Sequence, residues 1–196
     1  MSVAYYQEIA CQQVLVEDSS VFSIQWCVLP AQIATLLTAQ HLLERYLGHI
    51  RRSTLSAIRP HVSATGIELR LLGSRLSLIS FLPPQDDDDA EEASATLRIC
   101  GGLLVEPSRS ERGKLCFEVA ETSRGTRVSL RLSEFRPLIL GSSPPSLIRL
   151  WIYRLTQAFA HRLVTVRFLA RLHRELTGSK SPVRVLEVKV REGTPV

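Results

Sequence analysis

The sequence predicts an α+β fold: an antiparallel β-meander packed on one long C-terminal α-helix. Three observations carry that prediction. Short runs of alternating apolar and polar residues recur between Lys114 and Ser133 with brief turns between them. Earlier runs before Pro30 and between Gly66 and Leu82 have the same character. Finally, a stretch from about Ser143 to Thr177 has helical spacing and ends at Gly178.

The length, 196 residues, suits one domain, and 45% hydrophobic residues suffice for a substantial core. With 22% charged residues, global disorder is not expected.

The elements follow in chain order. Tyr6 to Leu29 reads as strand, turn, strand, with Glu17-Asp18-Ser19-Ser20 as the turn and Phe22, Ile24 and Trp26 alternating beyond it. Pro30 opens a helix in which Ile33, Leu36, Leu37, Gln40, Leu43 and Leu47 recur, with Gly48 near its end as a breaker. Ser53 to Pro60 has only weak patterning. Ile67 to Leu72 and Arg75 to Leu82 form a hairpin about Gly73-Ser74. Gln85 to Glu92, within an acidic segment 85–93, holds six acids in seven residues. It lacks the interleaving and glycine of a calcium loop, so it reads as a solvated loop.

Three strands of the meander follow. In Thr96–Val105 the pair Gly101-Gly102 predicts a bulge or bend. Lys114–Glu121 places Leu115, Phe117 and Val119 on one face and Cys116, Glu118 and Ala120 on the other. Thr126–Ser133 turns Val128, Leu130 and Leu132 inward. Ser143-Pro144-Pro145 reads as a helix entry, and the helix then runs about 33 residues, or roughly 50 Å. The tail 179–196 alternates again over Val183–Val190, as an edge strand would.

On a uniform 100° wheel the long helix sorts into two sides. Ile148, Trp151, Leu155, Phe159, Val166 and Leu169 form an apolar stripe to be covered by the sheet. Arg149, Tyr153, Arg167, Arg171 and Arg174 form a basic ridge. Arg162 and His173 fall inside the apolar stripe. For Arg162 the structural expectation is a snorkelling side chain or an ion pair with Glu118 or Glu134. The functional expectation is an arginine lining a cavity and clamping a ligand carboxylate or phosphate. His173, near the helix end, reads as solvated or capping.

The formal net charge is +5, and it is unevenly placed: Pro144–Val196 holds ten Lys/Arg against three Asp/Glu. Such a face suits an anionic partner. The ridge has one aromatic, Tyr153, and no interleaved stacking residues, which argues against single-stranded nucleic acid. No pair among Cys11, Cys27, Cys100 and Cys116 has CxxC spacing, so buried free thiols in a reducing cytosol are expected. The five histidines form no metal-ligand cluster, and no nucleophile-elbow, P-loop or dinucleotide glycine motif is present. No metal, cofactor or catalytic residue is therefore assigned. Neither a signal peptide nor a run of about 18 apolar residues is evident, so a cytoplasmic location is expected, peripheral to a membrane if the helix docks there.

The segment Gly113–Arg136 (GKLCFEVAETSRGTRVSLRLSEFR) followed by Pro144–Gly178 resembles, at the level of pattern, the helix-grip fold of the START-like (SRPBCC) superfamily. That resemblance implies a hydrophobic ligand held between sheet and C-terminal helix, and in some members catalysis. Three functions are weighed. The first is a non-catalytic carrier or sensor of an apolar or amphipathic small molecule, bound by Trp151, Leu155, Phe159, Val166, Arg162 and Glu118. The second is an interaction module docking its Arg-rich helix face on a protein partner or an anionic membrane surface. The third is a lyase- or cyclase-type enzyme using Glu118 or Glu134 with Arg162.

Overall fold

The structure, a computed structural model, describes residues 6–34, 37–87, 93–107, 112–141 and 145–196. It is α+β: a large, mostly antiparallel sheet crossed by a long C-terminal helix. The strands are β1 (Gln7–Leu15), β2 (Val21–Leu29), β3 (Ile58–Ser63), β4 (Gly66–Leu71), β5 (Ser77–Phe81), β6 (Gln85–Asp87), β7 (Ala93–Gly101), β8 (Lys114–Thr122), β9 (Gly125–Phe135), β10 (Val183–Glu187) and β11 (Thr194–Pro195). Their order is β10-β1-β2-β9-β8-β7-β5-β4-β3, with β11 beside β1 and β6 beside β7.

Local chemistry explains the pairings. Asp18 closes the β1–β2 turn by accepting from the Ser20 N–H at 3.0 Å and the Ser20 hydroxyl at 2.6 Å. Arg136 donates to the other Asp18 oxygen at 2.8 Å, tying that turn to the end of β9. The meander alternates as expected: Val128 and Leu130 of β9 are buried, and Cys116, Glu118 and Ala120 of β8 take the face opposite Leu115 and Phe117. Gly102 adopts φ +118°, where a Cβ would lie 2.5 Å from the Leu78 carbonyl oxygen. The bend there carries Leu104 into the interior.

Several expectations need correction. Ile58–Ser63 is a strand in which Ile58, Pro60 and Val62 alternate with Arg59, His61 and Ser63, although the proline argues against one. It lies at the sheet edge, where a proline costs no ladder bond. Gly48 does not end its helix. After a short α1 (Ala31–Ala34), α2 runs Ala39–Ser53, capped by the Thr38 hydroxyl, and Gly48 sits within it. Cys11, Cys27 and Cys116 are buried thiols, but Cys100 is exposed. Of the acidic segment, Gln85–Asp87 pairs with β7; residues 88–92 lie outside the described residues.

The C-terminal helix is continuous but not uniform. It comprises α3 (Leu147–Tyr153), a π-helical turn (Arg154–Ala158) and α4 (Phe159–Thr177), ending at Gly178 in the left-handed region. Ser143 and Pro144 lie outside the described residues, and the cap is Ser146, whose hydroxyl accepts from the Arg149 N–H at 3.4 Å. Two side chains take up carbonyls around the π turn: Thr156 donates to Ile152 at 2.6 Å, and Gln13 of β1 donates to Ala158 at 3.3 Å.

Candidate functional site

The core divides where three rings meet. Tyr46 of α2 packs on Phe117 of β8 at 5.4 Å between centroids and edge-on to Phe168 of α4 at 5.2 Å. The Tyr46 hydroxyl reaches the Thr165 hydroxyl at 3.4 Å. On one side of this cluster Phe168, Leu169 and Leu172 pack tightly. On the other, helix and sheet part to leave a cavity of about 280 Å³. That volume falls just below the usual range of small-molecule pockets, roughly 300–1,000 Å³.

Most of the cavity wall is hydrocarbon. Leu47, Ile50, Ile58, Leu69, Ile79, Phe81, Leu97, Ile99, Leu104, Leu115, Leu132 and Phe135 contribute from α2 and the sheet. The helix contributes Tyr153, Thr156, Gln157, Ala160, His161 and Val164. These follow helical spacing, and Tyr153, Gln157 and His161 form one row at i, i+4 and i+8. Each step of that row rises about 6 Å. Among the described residues no charged side chain lines the cavity.

Electrostatically the row is neutral. Burial pushes the His161 imidazole down to about 4, so it is uncharged near neutrality. Burial pushes the Tyr153 phenol up, so it keeps its proton. Nε2 of His161 and Oε1 of Gln157 are shielded from water without a hydrogen-bond partner among the described residues. An unmatched buried polar atom costs about 1–3 kcal/mol, so a ligand hydroxyl would be rewarded at each once the side chain turned it toward the cavity.

The residues expected to line the site are elsewhere. Trp151, Leu155 and Phe159 are 59%, 67% and 59% exposed on the outside of the helix. Tyr153, assigned to the basic ridge, is 3% exposed and faces inward. The cause is the π turn, which holds one residue more than an α turn. Everything beyond it is rotated by about 100° relative to a uniform wheel. Trp151 and Leu155 therefore align with Arg167, Arg171 and Arg174, not with Leu169.

Val166 is half-buried and packs against the core without reaching the cavity. Arg162 leaves the interior and pairs with Glu187 instead of lining the cavity. That is the ion pair of the structural expectation, with a different partner. Glu118 lies on the outer sheet face, accepting from Ser129 at 2.8 Å and from Arg131 Nε at 3.0 Å. Glu134 is exposed, with φ +53°. His173 is half-buried, its Nδ1 3.3 Å from the Thr177 hydroxyl. Periodicity put Tyr153 on the wrong side and did not single out Gln157 or His161; the i, i+4, i+8 spacing of the three is the signal that could have.

Among the described residues no group of three His, Cys, Asp or Glu could hold a metal ion, and no helix is long and apolar enough to cross a membrane. The sheet and helix together fit a helix-grip-like arrangement. No family model and no curated protein matches the sequence. Among solved structures, CalU16 from Micromonospora echinospora aligns over 89% of this chain and 98% of its own at 11% identity. Its TM-score is 0.31, too low to bear on fold or function.

Proposed function

We propose that this protein binds an uncharged, mainly apolar small molecule carrying at least one hydroxyl, as a non-catalytic carrier or sensor of the START-like, helix-grip kind. The observation that carries this reading is the pair of unmatched polar atoms, Gln157 Oε1 and His161 Nε2, in the wall of an otherwise hydrocarbon cavity. Apolar surface supplies the driving force, and the polar row sets orientation. A hydroxyl can donate to Gln157, and to His161 when its proton is on Nδ1. A carboxylate or phosphate would enter with no cation among the described residues of the wall to meet it, at a high desolvation cost.

Catalysis has less support. Glu118, Glu134 and Arg162 do not converge, and an imidazole titrating near 4 is a weak base at neutral pH. Calorimetric titration with 2-naphthol, naphthalene and 2-naphthoate tests the proposal. The expected order is 2-naphthol tightest, naphthalene weaker and naphthoate weakest. Replacing both Gln157 and His161 with Leu should weaken 2-naphthol at least about tenfold, at about 1 kcal/mol per lost hydrogen bond. Naphthoate binding best, or a double variant indistinguishable from the parent, would refute it.

A further inference from the structure

The outer face of the first half of the C-terminal helix gathers several large exposed apolar side chains. Ile148, Trp151, Leu155 and Phe159 are all exposed, Ile148 by 73%. Large apolar side chains gathered on one helix face mark a contact surface. Because of the π turn, the same side continues into Arg167, Arg171 and Arg174. From Ser146 to Arg174 the chain holds six arginines and no Asp or Glu. Arg149, Arg167 and Arg174 form no ion pair among the described residues.

We propose that this face docks on an anionic phospholipid bilayer, with Trp151, Leu155 and Phe159 entering the headgroup boundary and the arginines meeting lipid phosphates. Bulky apolar residues with arginines along one helix are the pattern of an interfacial helix. Charge favours the bilayer over a second copy of this chain, because the one acid beside the strip, Glu175, is already paired with Arg171 at 2.6 Å and with Arg45, which leaves none free to meet a partner's arginines. The first half of the helix would then separate bilayer from cavity by a single helix diameter, about 10 Å. The docking itself rests on the outer face alone and does not require the cavity reading.

Flotation with vesicles of phosphatidylcholine, with and without phosphatidylserine, tests this on the full chain. Binding should require phosphatidylserine, weaken as salt rises, and shift Trp151 emission to the blue in a Trp26→Phe background. Trp151→Glu with Leu155→Glu should reduce binding at least about tenfold, with an unchanged far-ultraviolet circular dichroism spectrum and retained 2-naphthol affinity. Should that pair perturb folding, Arg167→Glu with Arg174→Glu should give a similar loss. No flotation, equal flotation on pure phosphatidylcholine, or dimerisation through this face that the Trp151→Glu and Leu155→Glu pair abolishes would overturn the inference. Vesicle binding without 2-naphthol binding would sink only the cavity reading, and the reverse only this one.

Discussion

The two halves of the C-terminal helix use the same sheet in opposite ways. Beyond the aromatic cluster, Phe168, Leu169 and Leu172 fill the space between helix, α2 and the first two strands, leaving arginines outside. Before it, the inner side carries Thr156, Gln157, Ala160 and His161, and the bulkiest apolar groups point outward. One half is built for stability. The other gives up packing for a cavity, and stability is the quantity that such a trade sacrifices.

Core truncation should separate the halves most clearly. Phe168→Ala is expected to cost about 3–5 kcal/mol, and Leu155→Ala no more than about 0.5 kcal/mol. Chemical denaturation of both variants measures this, and similar costs would dissolve the distinction.

A smaller effect is expected from pH. The His161 pKa is depressed in the folded protein, from 6.5 to about 4, so the unfolded chain binds more protons between those values. Its stabilising contribution is complete above pH 6.5 and is lost as pH falls toward 4, by at most about 3 kcal/mol. Burial lowers His49 and His173 as well and adds to the same trend. His161→Leu should flatten the stability profile between these limits; an unaltered slope would place the histidine in water.

Next in size, Gln157→Leu should raise stability by about 1 kcal/mol, because it removes an unmatched buried acceptor, while it weakens the ligand. A variant that loses both stability and binding would show the amide to be structural. Least of all, Gly178→Ala should cost about 1 kcal/mol, for conformational reasons alone: its φ is +69° and no atom would touch the added Cβ.

How much of this was legible depended on whether burial and hydropathy agreed locally. In β8 and β9 they did, and alternation placed Leu115, Phe117, Val128 and Leu130 correctly. In β3 they did not, because Ile58, Pro60 and Val62 alternate with Arg59, His61 and Ser63 but the run contains a proline and its apolar side is only half-buried at Ile58 and Pro60 and exposed at Val62. The helix was legible as a helix through its spacing and Gly178. Its orientation was not. A wheel assumes a constant turn, and the π turn at Arg154–Ala158 violates that assumption. Hydropathy also misled, since Trp151 and Leu155 are greasier than the Gln157 and His161 that face inward. Glu118 showed the right strand face, but nothing in the sequence paired it with Arg131 across the outer surface.

The orientation of the first half supports both the cavity and the docking face, and Trp151 reports on it directly. In a Trp26→Phe background, without lipid, fluorescence quenching by acrylamide should approach that of a free indole, with emission near the fully hydrated position. A quenching-resistant, blue-shifted Trp151 in that monomeric protein would place the ring against the sheet and contradict the account.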